Sequence, residues 1–286
     1  MYDSTITLGI DNLATTCQHW QITDTIYAIQ NPGFLPGPGR LPGWGYSLSY
    51  LISGKERALL LDTGFGIADL KSYVEDLTPL PLIVVNSHVH PDHSGGNRQF
   101  DTVYIGENEW PSKEGFVFPI ETVPHKKVHP AVVSGGDYQF STLKDGEWIE
   151  LGKRRLQVIA IPGHTKGSIA LYDEESHYLF SGDAIVKRIF YGASVPLSQY
   201  KAALLTVKGL DIKEILSAHW PQPLPTSFID QVLYLIDHFN PDQSEPAAWN
   251  VPDTPDLRMV HYGQDFDDPN FCAMSFAMDQ LEAIMQ

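Results

Sequence analysis

Four short apolar runs in this sequence each hand the chain on to a histidine or an aspartate, and few folds accommodate that repetition. Leu82-Ile83-Val84-Val85 leads into Ser87-His88-Val89-His90-Pro91-Asp92-His93-Ser94-Gly95-Gly96. Leu156 to Ile161 leads into Pro162-Gly163-His164, Tyr178-Leu179-Phe180 into Ser181-Gly182-Asp183, and Glu214 to Ser217 into Ala218-His219. Runs of this length and apolar content read as strands. In α/β sheets the binding crevice opens at the carboxyl ends of the strands, so groups delivered there by neighbouring strands meet at one edge. Within the first run, alternation sends His88 and His90 to one side, and Pro91 turns the chain and re-aims Asp92 and His93. The five imidazoles and two carboxylates are more than one tetrahedral ion needs. They suit two ions sharing a carboxylate, and these donor types accept Zn, Fe or Mn.

The rest of the chain supplies an alternating α/β scaffold. Ile22 to Gln30 reads as a first strand, followed by a Pro/Gly-dense loop from Asn31 to Gly45 that excludes regular structure. Tyr46 to Ser53 and Arg57 to Leu61 form a hairpin across Gly54-Lys55, and Asp62-Thr63-Gly64 ends it. The spacing of Ile67, Leu70, Tyr73, Val74 and Leu77 predicts an amphipathic helix. Thr102 to Ile105 is a strand, and residues 106–141, without sustained period, read as an insertion that covers the site. Strands follow at Trp148 to Leu151, Leu156 to Ile161, Ser168 to Tyr172 and Tyr178 to Phe180. Helices are expected over Ser198 to Lys208 and after Thr226, which reads as an N-cap. Residues 240–286 form a C-terminal extension with a terminal helix from about Cys272 to Ile284. The expectation is a single domain over residues 1–286.

Charge narrows the partners. The chain of 286 residues carries a formal net charge of -16 and no long run of Lys or Arg, so nucleic-acid phosphates and anionic lipid are repelled and a small-molecule substrate is the default. Cys17 and Cys272, the only cysteines, imply no disulfide framework. With no basic, apolar leader and no apolar run of membrane-spanning length, the expected compartment is the cytoplasm. Trp and Phe in the insertion leave a homo-oligomer open.

His88-Val89-His90-Pro91-Asp92-His93, Gly163-His164-Thr165, Ser181-Gly182-Asp183 and Ala218-His219, with Asp62-Thr63-Gly64 upstream, resemble the ordered motifs of the metallo-β-lactamase superfamily. The resemblance implies a four-layer αβ/βα sandwich with a dinuclear site at one edge. It assigns His88, His90 and His164 to the first metal, Asp92, His93 and His219 to the second, Asp183 to both, and Asp62 to fixing the ligand loop. Two divalent ions, Zn foremost with Fe or Mn as alternatives, are implied. An aspartate at 183 and the absence of a cysteine ligand resemble the glyoxalase II, lactonase and phosphodiesterase branches, although Val186 stands where lactonases carry a tyrosine.

The expected activity is hydrolysis of an ester, thioester or lactone by a metal-bridging hydroxide, with Asp92 or a metal-bound water supplying the leaving-group proton. Alternatives on the same site are a phosphodiesterase, an iron-dependent oxidoreductase of the sulfur dioxygenase kind, and a non-catalytic metal-binding protein. Candidate substrate contacts are Trp44 on the Pro/Gly loop, Arg188 and Tyr191 after Asp183, and His261 in the extension.

Overall fold

The computed structural model describes residues 16–33, 47–109, 138–192, 195–247, 256–263, 268 and 271–286. A seven-stranded sheet takes its strands in chain order: β1 (Gln18–Thr23), β2 (Ile26–Gln30), β3 (Leu48–Ser53), β4 (Ala58–Leu61), β5 (Leu82–Val85), β6 (Thr102–Gly106) and β7 (Gln139–Leu143). The expected single strand over Ile22 to Gln30 is a hairpin instead, because Asp24-Thr25 turns the chain and β1 pairs antiparallel with β2. From β4 to β7 neighbouring strands pair in parallel. Helix α1 (Leu70–Leu77) forms the crossover into β5, capped by the Asp69 carboxylate accepting from the Ser72 N–H at 3.1 Å.

A second sheet of five strands has the order β13-β11-β10-β9-β8, built from β8 (Trp148–Glu150), β9 (Arg155–Ala160), β10 (Ile169–Asp173), β11 (Tyr178–Gly182) and β13 (Glu214–Ser217). The two sheets pack face to face. Ala28, Tyr50, Ile52, Leu59, Leu61 and Val85 of the first interdigitate with Leu156, Val158, Leu171, Phe180 and Leu216 of the second. Burial of side chains of this size contributes about 1.5–3 kcal/mol each. The outer face of the first sheet is covered by α1 through Leu70 and Val74. The outer face of the second is covered by α3 (Leu197–Lys208) and α4 (Phe228–Asp237). These are the expected four layers. Ser227, not Thr226, occupies the N-cap of α4, and it makes no side-chain capping bond.

The extension departs from expectation. Cys272 to Ala277 is a strand, β16, and the terminal helix is confined to α5 (Leu281–Met285). All six residues of β16 are buried, so the two-residue alternation that marks a strand is absent from the sequence. β16 lies between β12 (Arg188–Phe190), its parallel partner, and β15 (Leu257–Tyr262), antiparallel to it, with β14 (Glu245–Pro246) at the edge. This third sheet packs Ile189, Met274 and Phe276 against α3 and α4. Strand structure also claims residues 139–141, the end of the expected insertion.

Among the described residues no helix is long and apolar enough to cross a membrane.

Candidate metal centre

Strand ends from both sheets deliver the seven ligand-type residues to one edge of the sandwich. His88 and His90 follow β5, Asp92 and His93 lie on the single turn α2 (Pro91–Ser94), His164 follows β9, Asp183 follows β11 and His219 follows β13. Gly182 has φ +53°, and a Cβ there would stand 2.7 Å from the Ser87 Oγ and Cβ, so only glycine lets Asp183 approach the loop after β5 so closely.

Two groups of three emerge. In the first, His88 Nε2, His90 Nδ1 and His164 Nε2 form a triangle with sides of 3.1, 2.8 and 3.1 Å. Ligands about 2.0 Å from a tetrahedral zinc stand roughly 3.3 Å apart, so the triangle has the dimensions of one face of such a site. The outward nitrogens fix the inward ones as lone-pair donors: His164 Nδ1–H donates to the Phe190 carbonyl at 2.6 Å, and His88 Nδ1 meets Ser87 Oγ at 3.1 Å. Burial and neighbouring imidazoles hold His88 well below its ordinary value and bring His90 down to about 3, so both are neutral ligands at pH 7.

In the second group, Asp92 Oδ2 lies 3.4 Å from His93 Nε2 and 3.1 Å from His219 Nε2. Here the charges are opposite in sign. Burial would lower His219, yet Asp183 and Asp92 carry it up to about 10. Burial likewise opposes the rise of His93, which Asp92, Asp183 and Asp62 overcome. Asp92 and Asp183 resist the upward pull of burial because His93 and His219 hold them well below the usual carboxylate range.

Asp183 faces both groups. Its Oδ1 lies 3.4 Å from His93 Nε2 and 3.3 Å from His219 Nε2, and its Oδ2 lies 3.5 Å from His164 Nε2. His93 Nε2 and Asp183 Oδ1 are buried without a hydrogen-bond partner, which burial normally penalises and a cation between them relieves. The donor set therefore fits divalent metal ions.

Beneath the groups, Asp62 accepts from the Ser87 N–H at 2.7 Å and the Ser87 hydroxyl at 2.8 Å, and meets His93 Nδ1 at 2.8 Å. It holds this position with φ +64°. The His93 carbonyl accepts from the Thr63 N–H at 2.7 Å and the Asn86 amide at 2.9 Å, and Asn97 donates to Asn86 at 2.7 Å. A further buried carboxylate, Glu109, follows β6 and touches the loops after β5 and β9. In the sequence it falls inside the aperiodic stretch 106–141, three residues past the apolar strand β6.

The candidate substrate contacts separate. Tyr191 is fully buried, its hydroxyl donates to the Val195 carbonyl at 2.5 Å and its ring lies 5.8 Å from Tyr200; it is a core residue rather than a substrate contact. Alternation along β12 explains this, since Ile189 and Tyr191 turn to the core while Arg188 and Phe190 share the other face. Arg188 is half-buried, and burial lowers it to about 10. Ala273 pairs with both Arg188 and His261, so those side chains share a face across a small residue. His261 is exposed, 3.4 Å from Glu245 and stacked on Phe271. Trp44 lies outside the described residues.

The chain is 32% identical over 199 residues to the human acyl-coenzyme A thioesterase MBLAC2, covering 58% of this chain and 66% of that protein. It is 36% identical over 106 residues to a hydroxyacylglutathione hydrolase from Synechococcus sp., covering 36% of this chain and 34% of that enzyme. The matches thus span less than two thirds of these relatives' length. A solved metallo-beta-lactamase from Pontibacter korlensis superposes with a TM-score of 0.57 at 20% identity, covering 78% of this chain and all (100%) of the other, a likeness of fold. The family model of the metallo-beta-lactamase superfamily matches residues 42–219, more than half of the chain and a range that contains the seven ligand-type residues, and the chain belongs to that superfamily.

Proposed function

We propose that this chain is a dinuclear metal-dependent hydrolase of small-molecule thioesters. The observation that carries the reading is Asp183, one carboxylate placed against two separate ligand triads. His88, His90 and His164 would hold one ion and Asp92, His93 and His219 the other, with Zn the first expectation and Fe or Mn compatible with the same donors. Ions held there would supply Lewis acidity and would lower the pKa of water from 15.7 to about 7, so that a nucleophile is available at neutral pH.

Leaving-group chemistry favours a thioester over an ordinary ester. A thiolate, whose thiol has a pKa of about 8.5, departs with little protonation, whereas an alkoxide, whose alcohol has a pKa close to that of water, about 15.7, is a poorer leaving group without a proton donor. Names of the relatives support the same class, since one is a thioesterase of acyl-coenzyme A and another a hydrolase of hydroxyacylglutathione. Both of those thiol carriers are anionic. Arg188, on the same strand face as the Phe190 whose carbonyl steadies His164, is our candidate for an anionic group of the substrate.

Assays of thioesters, oxygen esters, lactones and phosphodiesters on the protein as purified, after chelation and after reconstitution test the proposal. Thioester turnover that disappears on chelation and returns with Zn is expected. Persistence in metal-free protein, or turnover of phosphodiesters alone, overturns it. Iron at one equivalent per chain together with oxygen consumption would select the oxidoreductase alternative instead.

A further inference from the structure

Glu109 is buried, 6% exposed, at the end of the turn that follows β6. Each of its carboxylate oxygens serves a different ligand loop. Oε1 accepts from the N–H of Val89 at 3.1 Å, and Val89 is the residue between His88 and His90. Oε2 accepts from the Thr165 hydroxyl at 2.8 Å and the Gly167 N–H at 3.0 Å, and Thr165 directly follows His164. All three partners are donors. Thr165 is itself held by Ser168, whose hydroxyl accepts from the Thr165 N–H at 3.1 Å.

The approach is close enough to constrain the sequence. A Cβ on Gly167 would stand 2.0 Å from the Glu109 backbone nitrogen, and one on Gly106 would stand 2.3 Å from the Gly167 carbonyl oxygen. Backbone is pressed on backbone where the turn after β6 meets the loop after β9. The contacts described for Glu109 involve residues next to His88, His90 and His164, and none involves Asp92, His93 or His219.

We propose that Glu109 is the positioning residue of the first ligand triad, joining the two loops that carry His88, His90 and His164 and thereby setting the distances among their three inward nitrogens. This rests on the metal-binding reading above. Outer partners of metal ligands typically contribute 10- to 100-fold in metal affinity. An effect of that size, confined to one of two ions, is the signature.

The test measures stepwise Zn affinities by competition with a chromophoric chelator in the wild type, Glu109→Ala and Glu109→Gln. The same substitutions are repeated in an Asp92→Asn background, where the remaining ion occupies the first triad. Glu109→Ala is expected to weaken one of the two wild-type sites roughly 10- to 100-fold and leave the other unchanged, and to weaken the single site of the Asp92→Asn background by the same factor. Glu109→Gln, keeping the shape and one accepting oxygen, should recover part of the loss. In the cobalt-loaded protein, the exchangeable imidazole N–H signals of the first triad should shift while that of His93 stays. If Glu109→Ala does not fold, Thr165→Val removes one donor to Oε2 and should weaken the same site to a smaller extent. Equal weakening of both sites, or unchanged constants, overturns the positioning role with the metal reading intact; a wild-type protein that binds no ion overturns both.

Discussion

The two ligand triads lie side by side and are built on opposite principles. His88 and His90 in the first are kept neutral by burial and by neighbouring imidazoles, His93 and His164 for His88 and His164 for His90, while Ser87 meets the outer nitrogen of His88 and Glu109 accepts from the backbone N–H of Val89 between them. In the second, His93 and His219 are held charged by Asp92 and Asp183, so the group is already an ion-paired cluster before any metal arrives. The first group presents neutral lone pairs, and the second holds protons on its imidazoles. The difference teaches that, if each group takes an ion as we propose, loading them would carry different proton costs, because metal must displace protons only where imidazoles hold them.

The carboxylate shared by the triads offers the strongest way to break this comparison. Asp183→Asn keeps the shape and removes the charge facing both groups, and we expect thioester turnover to fall about a thousandfold, equivalent to about 4 kcal/mol. Steady-state kinetics together with metal analysis check it; retained turnover would mean that a single triad suffices. Asp92→Asn should act on one side only, emptying mainly the second site. Elemental analysis showing equal loss of both metals would count against the division of ligands.

Metal-free protein should reveal the contrast as a pH profile. His90 falls from 6.5 to about 3 in the folded state through burial and the neighbouring His164, so the unfolded chain takes up the proton first and stability declines as the pH drops from 6.5 toward 3. His219, carried from 6.5 to about 10, contributes stability that is complete below 6.5 and lost as the pH rises toward 10. Thermal unfolding of the chelated protein should therefore be most resistant near neutral pH. His219→Gln should flatten the alkaline limb, and His90→Gln the acid one. A profile in which either substitution flattens both limbs would dissolve the distinction.

Smaller effects separate Arg188 from Tyr191, neighbours on opposite faces of one strand. Arg188→Met should raise KM for an anionic thioester about tenfold, with a neutral thioester unaffected, which corresponds to about 1.4 kcal/mol of charge recognition. Tyr191→Phe should leave kinetics alone and cost about 1 kcal/mol of stability through its lost hydrogen bond to Val195. Parallel kinetics and denaturant unfolding distinguish them, and a changed KM in Tyr191→Phe would return that residue to the substrate site.

How much of this was legible in the sequence follows from where physical pattern survives. The ligand-type residues were readable because each follows an apolar strand, and strand ends converge by topology. The sandwich was readable for the same reason. β16 was hidden because both of its faces are buried, which erases alternation, and because its partners β12 and β15 are far away in sequence. The hairpin at Asp24-Thr25 lacked the Gly or Asn that usually announces a two-residue turn. Tyr191 faces the core because parity along the strand places it with Ile189, which its distance from Asp183 along the chain does not convey. Glu109 was obscured by its position at the start of a segment without periodicity, although its preceding strand was recognised.

The third sheet has a further consequence for how this centre comes into being. Phe190, whose carbonyl orients His164, is paired in register with Ser275, and the Tyr191 N–H is bonded to the Ser275 carbonyl at 2.8 Å. During synthesis the seven ligand-type side chains emerge long before β16 does. Until that late strand is made and docks, β12 lacks its neighbour and the acceptor of His164 is unanchored. Assembly of the centre is thus coupled to completion of a distant segment, and a chain stopped short of β16 would carry every ligand while lacking the brace that aims one of them.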